Sequence, residues 1–259
     1  MSDSLDIERL RGQSWIRSIE YHDSLTSTND RARAIALEGE PELPILIVAQ
    51  RQTAGRGRGQ NRWWTGDGGL ACTLLFDPQE PGIVPRYQAM IPLAAAVAIV
   101  DAVAKSLAGR QVGLHWPNDV FVAGRKLAGV LVEGLPDGRQ ILGIGLNVNN
   151  ALAEAPPELA ETATTLAELT GSVQDRTEVL AALLWHLESA LGQLAANPES
   201  LGRRADQLCL QHGRPLCLRS GSQDVRGICR GIAPDGALVL ETPAGYKYYY
   251  SGVLVHDAG

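Results

Sequence analysis

The sequence lacks an apolar run long enough to cross a membrane. Residues 91–100 form an apolar stretch, but it is shorter than the roughly 18 residues that a membrane span requires. Arg86 and Asp101 lie on either side of it. Residues 1–6 are acidic and lack the apolar core of a signal peptide. We therefore expect a soluble, cytoplasmic protein that does not associate with membranes.

Cysteine is also scarce, with four residues and no CxxC spacing among them. Cys72 lies in an apolar stretch at residues 70–76, where a buried and reduced thiol is expected. No Ser-His-Asp or Cys-His catalytic set is visible. These features indicate a protein of a reducing compartment, and a hydrophobic content of 45% supports a sizeable core.

Acidic residues are absent between Glu42 and Asp67, although the net charge of the whole chain is -6. This stretch has arginines at positions 51, 56, 58 and 62 and contains the run Gln52-Thr-Ala-Gly-Arg-Gly-Arg-Gly59. Glycines let backbone N–H groups converge on an anion, and arginines bind carboxylate or phosphate oxygens. A cationic loop in an acidic protein predicts a small anionic ligand rather than a polyanion.

The glycine spacing of this loop matches neither common nucleotide-binding motif. A P-loop requires Gly-Lys-Ser/Thr after its second glycine, whereas Gly59 is followed by Gln60 and Asn61. A dinucleotide fingerprint requires its third glycine three positions further on, at the start of a helix. On the loop alone, a flexible surface segment and an arginine-glycine patch for RNA both stay open.

Four further motifs lie around the loop in a fixed order. They are Ser27-Thr-Asn29 upstream, then His115-Trp-Pro-Asn-Asp119, Gly124-Arg-Lys-Leu-Ala-Gly129 and Gly143-Ile-Gly-Leu-Asn147 downstream. Each is weak alone, but together with the Gly-Arg loop they resemble the catalytic domain of biotin protein ligases. The resemblance carries diagnostic motifs over residues 25–149 and continues more loosely to the C-terminus.

The resemblance implies an α+β fold with a mixed-sheet catalytic domain of the biotin/lipoate ligase type. From His212 onward the sequence changes to short β-prone runs separated by Pro-Asp-Gly and Pro-Ala-Gly turns. This pattern of short strands and turns is similar to that of the small SH3-like β-barrel domain at the C-terminus of the family. We predict a catalytic domain that binds biotin and ATP at residues 1–211 and an SH3-like domain at residues 212–259.

The coarse pattern alternates helices and strands. Ser27 followed by Asp30 predicts a capping box that opens a helix ending at Gly39. Further helices are predicted at 87–107, 164–169, 177–195 and 198–211, with Pro92 tolerable only near a first turn. Strands are predicted at 45–50, 70–76, 119–123, 126–133, 141–147, 216–219, 225–232, 237–241 and 246–250.

The resemblance further implies that ATP activates the carboxyl group of biotin as biotinyl-5'-AMP, with loss of pyrophosphate. Two anions must then approach each other, and fixed positive charge offsets their repulsion. Lys126 is the first catalytic candidate, because a carboxylate and the α-phosphate can share an ammonium as a point charge. Arg56 and Arg58 are the other two. Outside this motif, an exposed lysine in a hairpin turn would be the favoured interpretation of Lys126.

Other motif residues are predicted to bind rather than react. A plain helix cap is an alternative role for Ser27 or Thr28. A tryptophan pair such as Trp63-Trp64 packs in the hydrophobic core as often as it stacks on adenine. Asp119 is also the candidate ligand for Mg²⁺. The predicted biotin-binding residues are Ser27, Thr28, Asn29, Gln52, Arg56, Gly57, Arg58, Lys126 and Gly129, and those for ATP or the adenylate are Gly55, Arg58, Trp63, Asn118, Asp119 and Asn147.

Two positions depart from the family pattern. The family usually has a lysine before Trp-Pro-Asn-Asp, whereas this chain has His115, which is largely neutral at pH 7 and contributes less charge to the phosphates. A buried structural role suits a lone histidine equally well. The loop also continues as Gly59-Gln-Asn-Arg62 and lacks the further glycine and basic residue that commonly follow in the family.

The expected protein partner is the biotin carboxyl carrier domain of a biotin-dependent carboxylase, whose lysine is the nucleophile of the second step. About 24 residues precede the first motif, too few for the N-terminal winged helix of the repressor members, so no DNA binding is expected. The sequence leaves the oligomeric state open, with a homodimer as one candidate. A lipoate-ligase-like acyltransferase is the alternative function. A nucleic-acid-binding module is disfavoured by the acidic total and the few aromatics near the loop.

Overall fold

The central sheet of the molecule has seven strands, in the order β1-β2-β3-β7-β6-β5-β4. A computed structural model describes residues 5–255. Residues 1–4 of the acidic N-terminal stretch and residues 256–259 of the predicted C-terminal domain therefore lie outside the described residues. Within this sheet only β1 and β2 pair in parallel, and the other pairs are antiparallel. The strands are β1 (Ser18–Leu25), β2 (Ile45–Gln52), β3 (Leu70–Phe76), β4 (Val112–His115), β5 (Asp119–Val122), β6 (Arg125–Gly134) and β7 (Gln140–Leu146).

Helices cover both faces of this sheet, which explains why β3 and β7 are buried along their whole length. Because side chains alternate along a strand, Ile45 and Ile47 pack on one face and Leu46 and Val48 pack on the other. The first face is covered by one helix and the second by several. The helices are α1 (Ile7–Gln13), α2 (Thr28–Glu38), α3 (Ile91–Val103), α4 (Pro157–Thr162), α5 (Leu166–Thr170), α6 (Arg176–Ala196) and α7 (Pro198–Gln207).

The first face, covered by α2, is the face that matters for the site. Ile35 of α2 packs with Ile45, Leu75 and Ile141 in a small separate core. The larger core lies on the opposite face, between the sheet and helices α3 and α6. The two helical segments 85–103 and 176–196 are apolar and long enough to pass for membrane spans by length and composition alone. Both contribute buried residues to this core, as core helices of globular proteins do.

Several predicted elements differ from the structure at their ends. Ser27 occupies the N-cap position of α2, but its side chain makes no capping hydrogen bond with the described residues. The bonding of the predicted capping box is therefore wrong, and Asp30 instead accepts a hydrogen bond from Arg56. The predicted helix 87–107 is a 3₁₀ helix at Pro85–Met90 followed by α3, with Pro92 in the first turn of α3.

The predicted helix 198–211 ends at Gln207 because the next residues pair with β4. Leu114 donates its backbone N–H to Leu208 O at 2.7 Å, and Leu210 donates to Leu114 O at 2.9 Å. The elements α1, α4, β1 and β4 were not predicted. Strand β1 lies at the edge of the sheet and is mostly half-exposed, so its sequence lacks a clear apolar alternation.

The second sheet has five antiparallel strands in the order β11-β10-β9-β8-β12. Gly202 of α7 lets this helix approach it closely, since a Cβ there would lie 2.1 Å from Pro234 O. The three-residue strand β12, which was not predicted, leads the chain back toward the first sheet. The strands are β8 (Pro215–Ser220), β9 (Gln223–Ile232), β10 (Leu238–Thr242), β11 (Gly245–Tyr249) and β12 (Val253–Val255).

Candidate active site

A cavity of about 500 Å³ lies on the α2 face of the seven-stranded sheet. It is enclosed by the start of α2, the Gly-Arg loop, the β5–β6 hairpin and strand β12. The structure therefore brings together motif residues as far apart in the sequence as Ser27 and Gly145. The lining residues include Ser27, Thr28, Asn29, Gln52, Arg56, Gly57, Arg58, Trp63, His115, Asn118, Asp119, Lys126, Gly129, Val253 and Leu254.

Two glycines of β7 form the floor of the cavity, and each makes room for a neighbouring side chain. A Cβ on Gly143 would lie 2.1 Å from Oδ1 of Asn29. A Cβ on Gly145 would lie 2.2 Å from the indole ring of Trp63. The Gly-Ile-Gly motif is thus required by close approach rather than by backbone flexibility, since neither glycine has a positive φ.

The Gly-Arg loop folds back on itself through its own backbone. Gly57 donates to Asn61 O at 2.8 Å, Asn61 donates to Arg58 O at 3.1 Å and Trp63 donates to Gly55 O at 3.0 Å. Gly59 has a φ of 62°, in the left-handed region that favours glycine. The loop therefore closes without the further glycine and basic residue of the family pattern.

The loop arginines already have partners in the protein. Arg56 binds Asp30 and Glu133, and Arg51 binds Asp67. Arg58 donates to Gly252 O at 2.8 Å and to Asn118 Oδ1 at 3.1 Å. Burial lowers the pKa of Arg58, and the charge of Asp119 partly offsets that effect. A guanidinium stays protonated in this setting, so Arg58 remains a fixed positive charge.

Lys126 and Asp119 form an ion pair at the end of the cavity nearest the β5–β6 hairpin. The distance from Nζ of Lys126 to Oδ2 of Asp119 is 2.7 Å. The ammonium also lies 5.8 Å from the centre of the Trp63 ring. A Cβ on Gly129 would lie 3.2 Å from both Lys126 Nζ and Asp119 Oδ1, so the small residue leaves room for the pair. Within residues 5–255, the buried Oδ1 of Asp119 accepts no hydrogen bond.

At the other end of the cavity, near the start of α2, neutral polar side chains bond to one another. Thr28 donates its backbone N–H to Gln52 Oε1 at 2.8 Å, and Gln52 donates to the Thr65 hydroxyl at 3.1 Å. The hydroxyl of Thr73 lies 2.7 Å from the Thr28 hydroxyl and 2.7 Å from Asn29 Oδ1. Sequence reasoning missed Thr73 and Thr65. A threonine inside the fully buried strand β3 was the signal that could have identified Thr73.

Two predicted site residues do not line the cavity. Asn147 is buried and accepts a hydrogen bond from Asn150 Nδ2 at 3.1 Å, while its carbonyl accepts from Leu166 N. Gly55 supports the loop, where a Cβ would lie 2.4 Å from Trp63 O. Of the tryptophan pair, Trp63 lines the cavity and Trp64 packs over Gly66. The binding roles assigned to Asn147 and Gly55 stay predictions.

Comparison with known proteins agrees with this arrangement. Residues 21–149 match the Biotin/lipoate A/B protein ligase family, and residues 212–256 match the Biotin protein ligase C terminal domain. The chain is 33% identical over 237 residues to the bifunctional ligase/repressor BirA of Bacillus subtilis, covering 89% of this chain and 71% of that protein.

Two further similarities cover nearly the whole chain. The biotin--[acetyl-CoA-carboxylase] ligase of Mycobacterium tuberculosis is 33% identical over 249 residues, which cover 95% of this chain and 91% of that protein. The structure of a biotin protein ligase from Aquifex aeolicus in complex with biotin and ATP is similar with a TM-score of 0.81 at 30% identity. That similarity covers 92% of this chain and 98% of that one.

The fold and the site define an enzyme of the ligase class, and the predicted α+β fold class is confirmed. The chain belongs to the biotin protein ligase family.

Proposed function

We propose that this protein activates biotin with ATP and transfers the biotinyl group to a lysine of a biotin carboxyl carrier domain. In the first step a carboxylate oxygen of biotin attacks the α-phosphorus of ATP, and the bond to pyrophosphate breaks. In the second step the lysine amine attacks the biotinyl carbonyl carbon, and AMP leaves. The observation that supports this most strongly is one cavity that has the cations Lys126 and Arg58 toward one end and the neutral polar side chains of Thr28 and Gln52 toward the other.

Lys126 neutralises charge where the carboxylate and the α-phosphate meet. Its side chain is one-third exposed, and within residues 5–255 its ammonium pairs with one carboxylate, so it can exchange part of that contact for ligand oxygens. Arg58 lines the same cavity, bonds to Asn118 and supplies a second positive charge. Fixed charges of this kind lower the barrier because they need little reorganisation as the charge develops.

The polar end suits the ureido ring of biotin, which has one carbonyl acceptor and two N–H donors. Hydroxyl groups such as those of Thr28 and Ser27 can both donate and accept, and amide side chains such as Gln52 also offer both functions. Both Thr28 and Ser27 are buried. Buried polar groups with fixed partners discriminate strongly against ligands that leave them unpaired.

The nucleotide end is assigned to Trp63, Asn118 and Asp119. The Trp63 indole ring lies so close to Gly145 that a Cβ there would be 2.2 Å from it, and Trp63 also lines the cavity. Asn118 is held by its own donation to Val130 O at 2.6 Å and by Arg58. This arrangement fixes its side chain before a nucleotide binds.

Mg²⁺ fits this end of the site as a substrate-bound ion. The described residues contain no group of three or more His, Cys, Asp or Glu side chains that could hold a metal ion by themselves. Mg²⁺ bound to nucleotides needs only one or two carboxylates, since phosphates and water fill the other positions. The unpartnered Oδ1 of Asp119 meets that requirement. The ion would neutralise phosphate charge there.

Calorimetric titration with biotin, lipoate and a generic oligonucleotide tests the substrate class. We expect binding of biotin, with no heat from lipoate or from the oligonucleotide. Binding of lipoate in preference to biotin would favour the lipoate-ligase alternative, and binding of the oligonucleotide would favour a nucleic-acid module.

His115 provides a separate prediction, because it lines the cavity where the family usually has a lysine. Its ring stacks on Phe121 with a centroid distance of 4.8 Å. His115→Lys adds a full positive charge, worth about 1 kcal/mol if the phosphates lie nearby, or about a fivefold lower KM for ATP. The KM for biotin should change little. Unchanged ATP kinetics together with an unchanged melting temperature would show that position 115 does not face the nucleotide.

The Gly-Arg loop should become less accessible when substrates bind. The sequence predicts a mobile segment at residues 53–64, since glycines lower the free energy of opening and clustered arginines repel each other. The ion pairs of Arg51 and Arg56 remove part of that repulsion, so the remaining effect depends on Arg58 and Arg62. Trypsin cleavage after Arg58 and Arg62 should slow on addition of biotin and ATP. Equal cleavage with and without the substrates would contradict the coupling.

A further inference from the structure

Glu133 lies near the end of β6 and collects hydrogen bonds from two different parts of the site. Asn29 and Arg33 of α2 donate to it at 2.9 Å each. Arg56 of the Gly-Arg loop binds both carboxylate oxygens, at 2.8 Å and 3.1 Å. The Glu133 side chain is only 16% exposed, whereas its partner Arg56 is 40% exposed, so the carboxylate is the sheltered side of this ion pair. Bidentate pairs of this kind fix geometry as well as charge.

The ionised state of Glu133 sets the direction of a hydrogen-bond chain. Burial raises the pKa of Glu133, but the Asn29 hydrogen bond and the positive charge of Arg56 outweigh it, so the net pKa is lowered. Glu133 is therefore a carboxylate at neutral pH and can only accept. The amide nitrogen of Asn29 must face it, which turns Oδ1 of Asn29 toward Thr73.

The chain continues from Asn29 to the polar end of the cavity. The hydroxyl of Thr73 has one proton, and Oδ1 of Asn29 can only accept, so that proton goes to Asn29. The Thr28 hydroxyl also has one proton and two acceptors within reach, the Thr73 hydroxyl at 2.7 Å and Gln52 Oε1 at 3.1 Å. Because Thr73 gives its own proton to Asn29, the shorter contact takes the Thr28 proton. Gln52 Oε1 is still satisfied by the backbone N–H of Thr28. One carboxylate thus decides which hydrogen-bonding groups Thr28 presents to the cavity.

We propose that Glu133 is a positioning residue that couples the biotin-ring end of the cavity to the Gly-Arg loop. It holds Arg56 on one side and, through Asn29 and Thr73, orients the Thr28 hydroxyl on the other. This proposal rests on the proposed function, since biotin is the ligand that would contact both Thr28 and the Gly-Arg loop. Binding of the ring at Thr28 and closure of the loop at Arg56 then favour each other through a shared carboxylate.

The first test compares two glutamate variants of the full chain. Glu133→Gln keeps the shape but loses the charge, and we expect at least about tenfold weaker biotin binding by calorimetry, as for the loss of a charge-assisted hydrogen bond. Glu20→Gln is the matched control. Glu20 also binds an arginine through both oxygens, Arg31 at 2.9 and 3.0 Å, and does not line the cavity. Its biotin affinity should stay within about twofold of the wild type.

The decisive test is a mutant cycle on biotin binding with Thr73→Val and Arg56→Ala. The described structure shows no hydrogen bond between these two residues, so uncoupled effects would multiply to within about twofold. In the protein with Glu133 intact, we expect the loss of biotin affinity in the double variant to differ by at least about threefold from the product of the two single-variant losses. In the Glu133→Gln background the same two effects should multiply.

The outcomes separate this inference from the proposed function. Wild-type protein that fails to bind biotin would overturn the proposed function and this inference with it. Two results would overturn this inference alone, with normal biotin binding by the wild type. One is that the effects of Thr73→Val and Arg56→Ala on affinity simply multiply; the other is that their coupling persists in the Glu133→Gln background. If Glu133→Gln does not fold, Glu133→Asp takes its place as the second background, because the shorter side chain draws the carboxylate away from Asn29 and Arg56, and the two effects should again multiply there.

Discussion

Lys126→Ala should lower the rate of biotin-dependent pyrophosphate release by about a hundredfold to a thousandfold, as for the loss of one preorganised electrostatic contact. The ammonium acts mainly on charge that develops as carboxylate and α-phosphate join, so the rate should fall more than the affinity for biotin. The variant also leaves Asp119 without its 2.7 Å partner. A melting temperature is needed to separate that effect from catalysis.

Two further variants make this result specific. Lys105→Ala removes an exposed lysine in the turn after α3, outside the cavity, and should leave the rate unchanged. Lys126→Arg keeps a positive charge but replaces a point charge by a planar fork, so it should recover only part of the rate. Near-normal pyrophosphate release by Lys126→Ala would remove Lys126 from the catalytic set.

Gly143→Ala should have the second-largest effect, on biotin affinity. The new Cβ would lie 2.1 Å from Asn29 Oδ1, and Asn29 cannot yield easily because Thr73 and Glu133 hold both ends of its amide. Moving Asn29 breaks those hydrogen bonds, so we expect biotin binding to weaken about tenfold to a hundredfold. Overpacking of this kind should also destabilise the fold by about 1–3 kcal/mol.

The matched control is Gly134→Ala in the neighbouring strand β6. Its nearest neighbour for a new Cβ is the Gln140 side chain at 3.4 Å, an ordinary van der Waals contact. Stability should therefore change by less than about 0.5 kcal/mol and biotin affinity should be unchanged. Equal biotin affinities of Gly143→Ala and wild type would show that Asn29 is not part of the binding end.

The parts of the site that the sequence predicted are those carried by local motifs. Asp119 and Lys126 belong to one short hairpin, so their pairing follows from a local turn at Ala123 and Gly124, both with positive φ. Thr28 begins a helix next to the loop. Such residues are identified by their neighbours in the chain, without knowledge of the long-range pairing.

The parts that were missed depend on pairing between distant segments. Thr73 meets Asn29 across 44 positions, and Glu133 meets Asn29 across 104. In the sequence, Thr73 is one polar residue in an apolar strand and Glu133 is an ordinary charged residue at a strand end. Gly252 meets Arg58 through a backbone carbonyl, which any residue type possesses, so the sequence contains no signal for that contact.

The central claim is tested most directly by incubating the purified protein with biotin, ATP, Mg²⁺ and a purified biotin carboxyl carrier domain. We predict that mass spectrometry finds one biotinyl group on a single lysine of the carrier, only when ATP is present, and that Lys126→Ala strongly reduces this product. A carrier that stays unmodified while the protein binds biotin and ATP normally would contradict the proposed transfer.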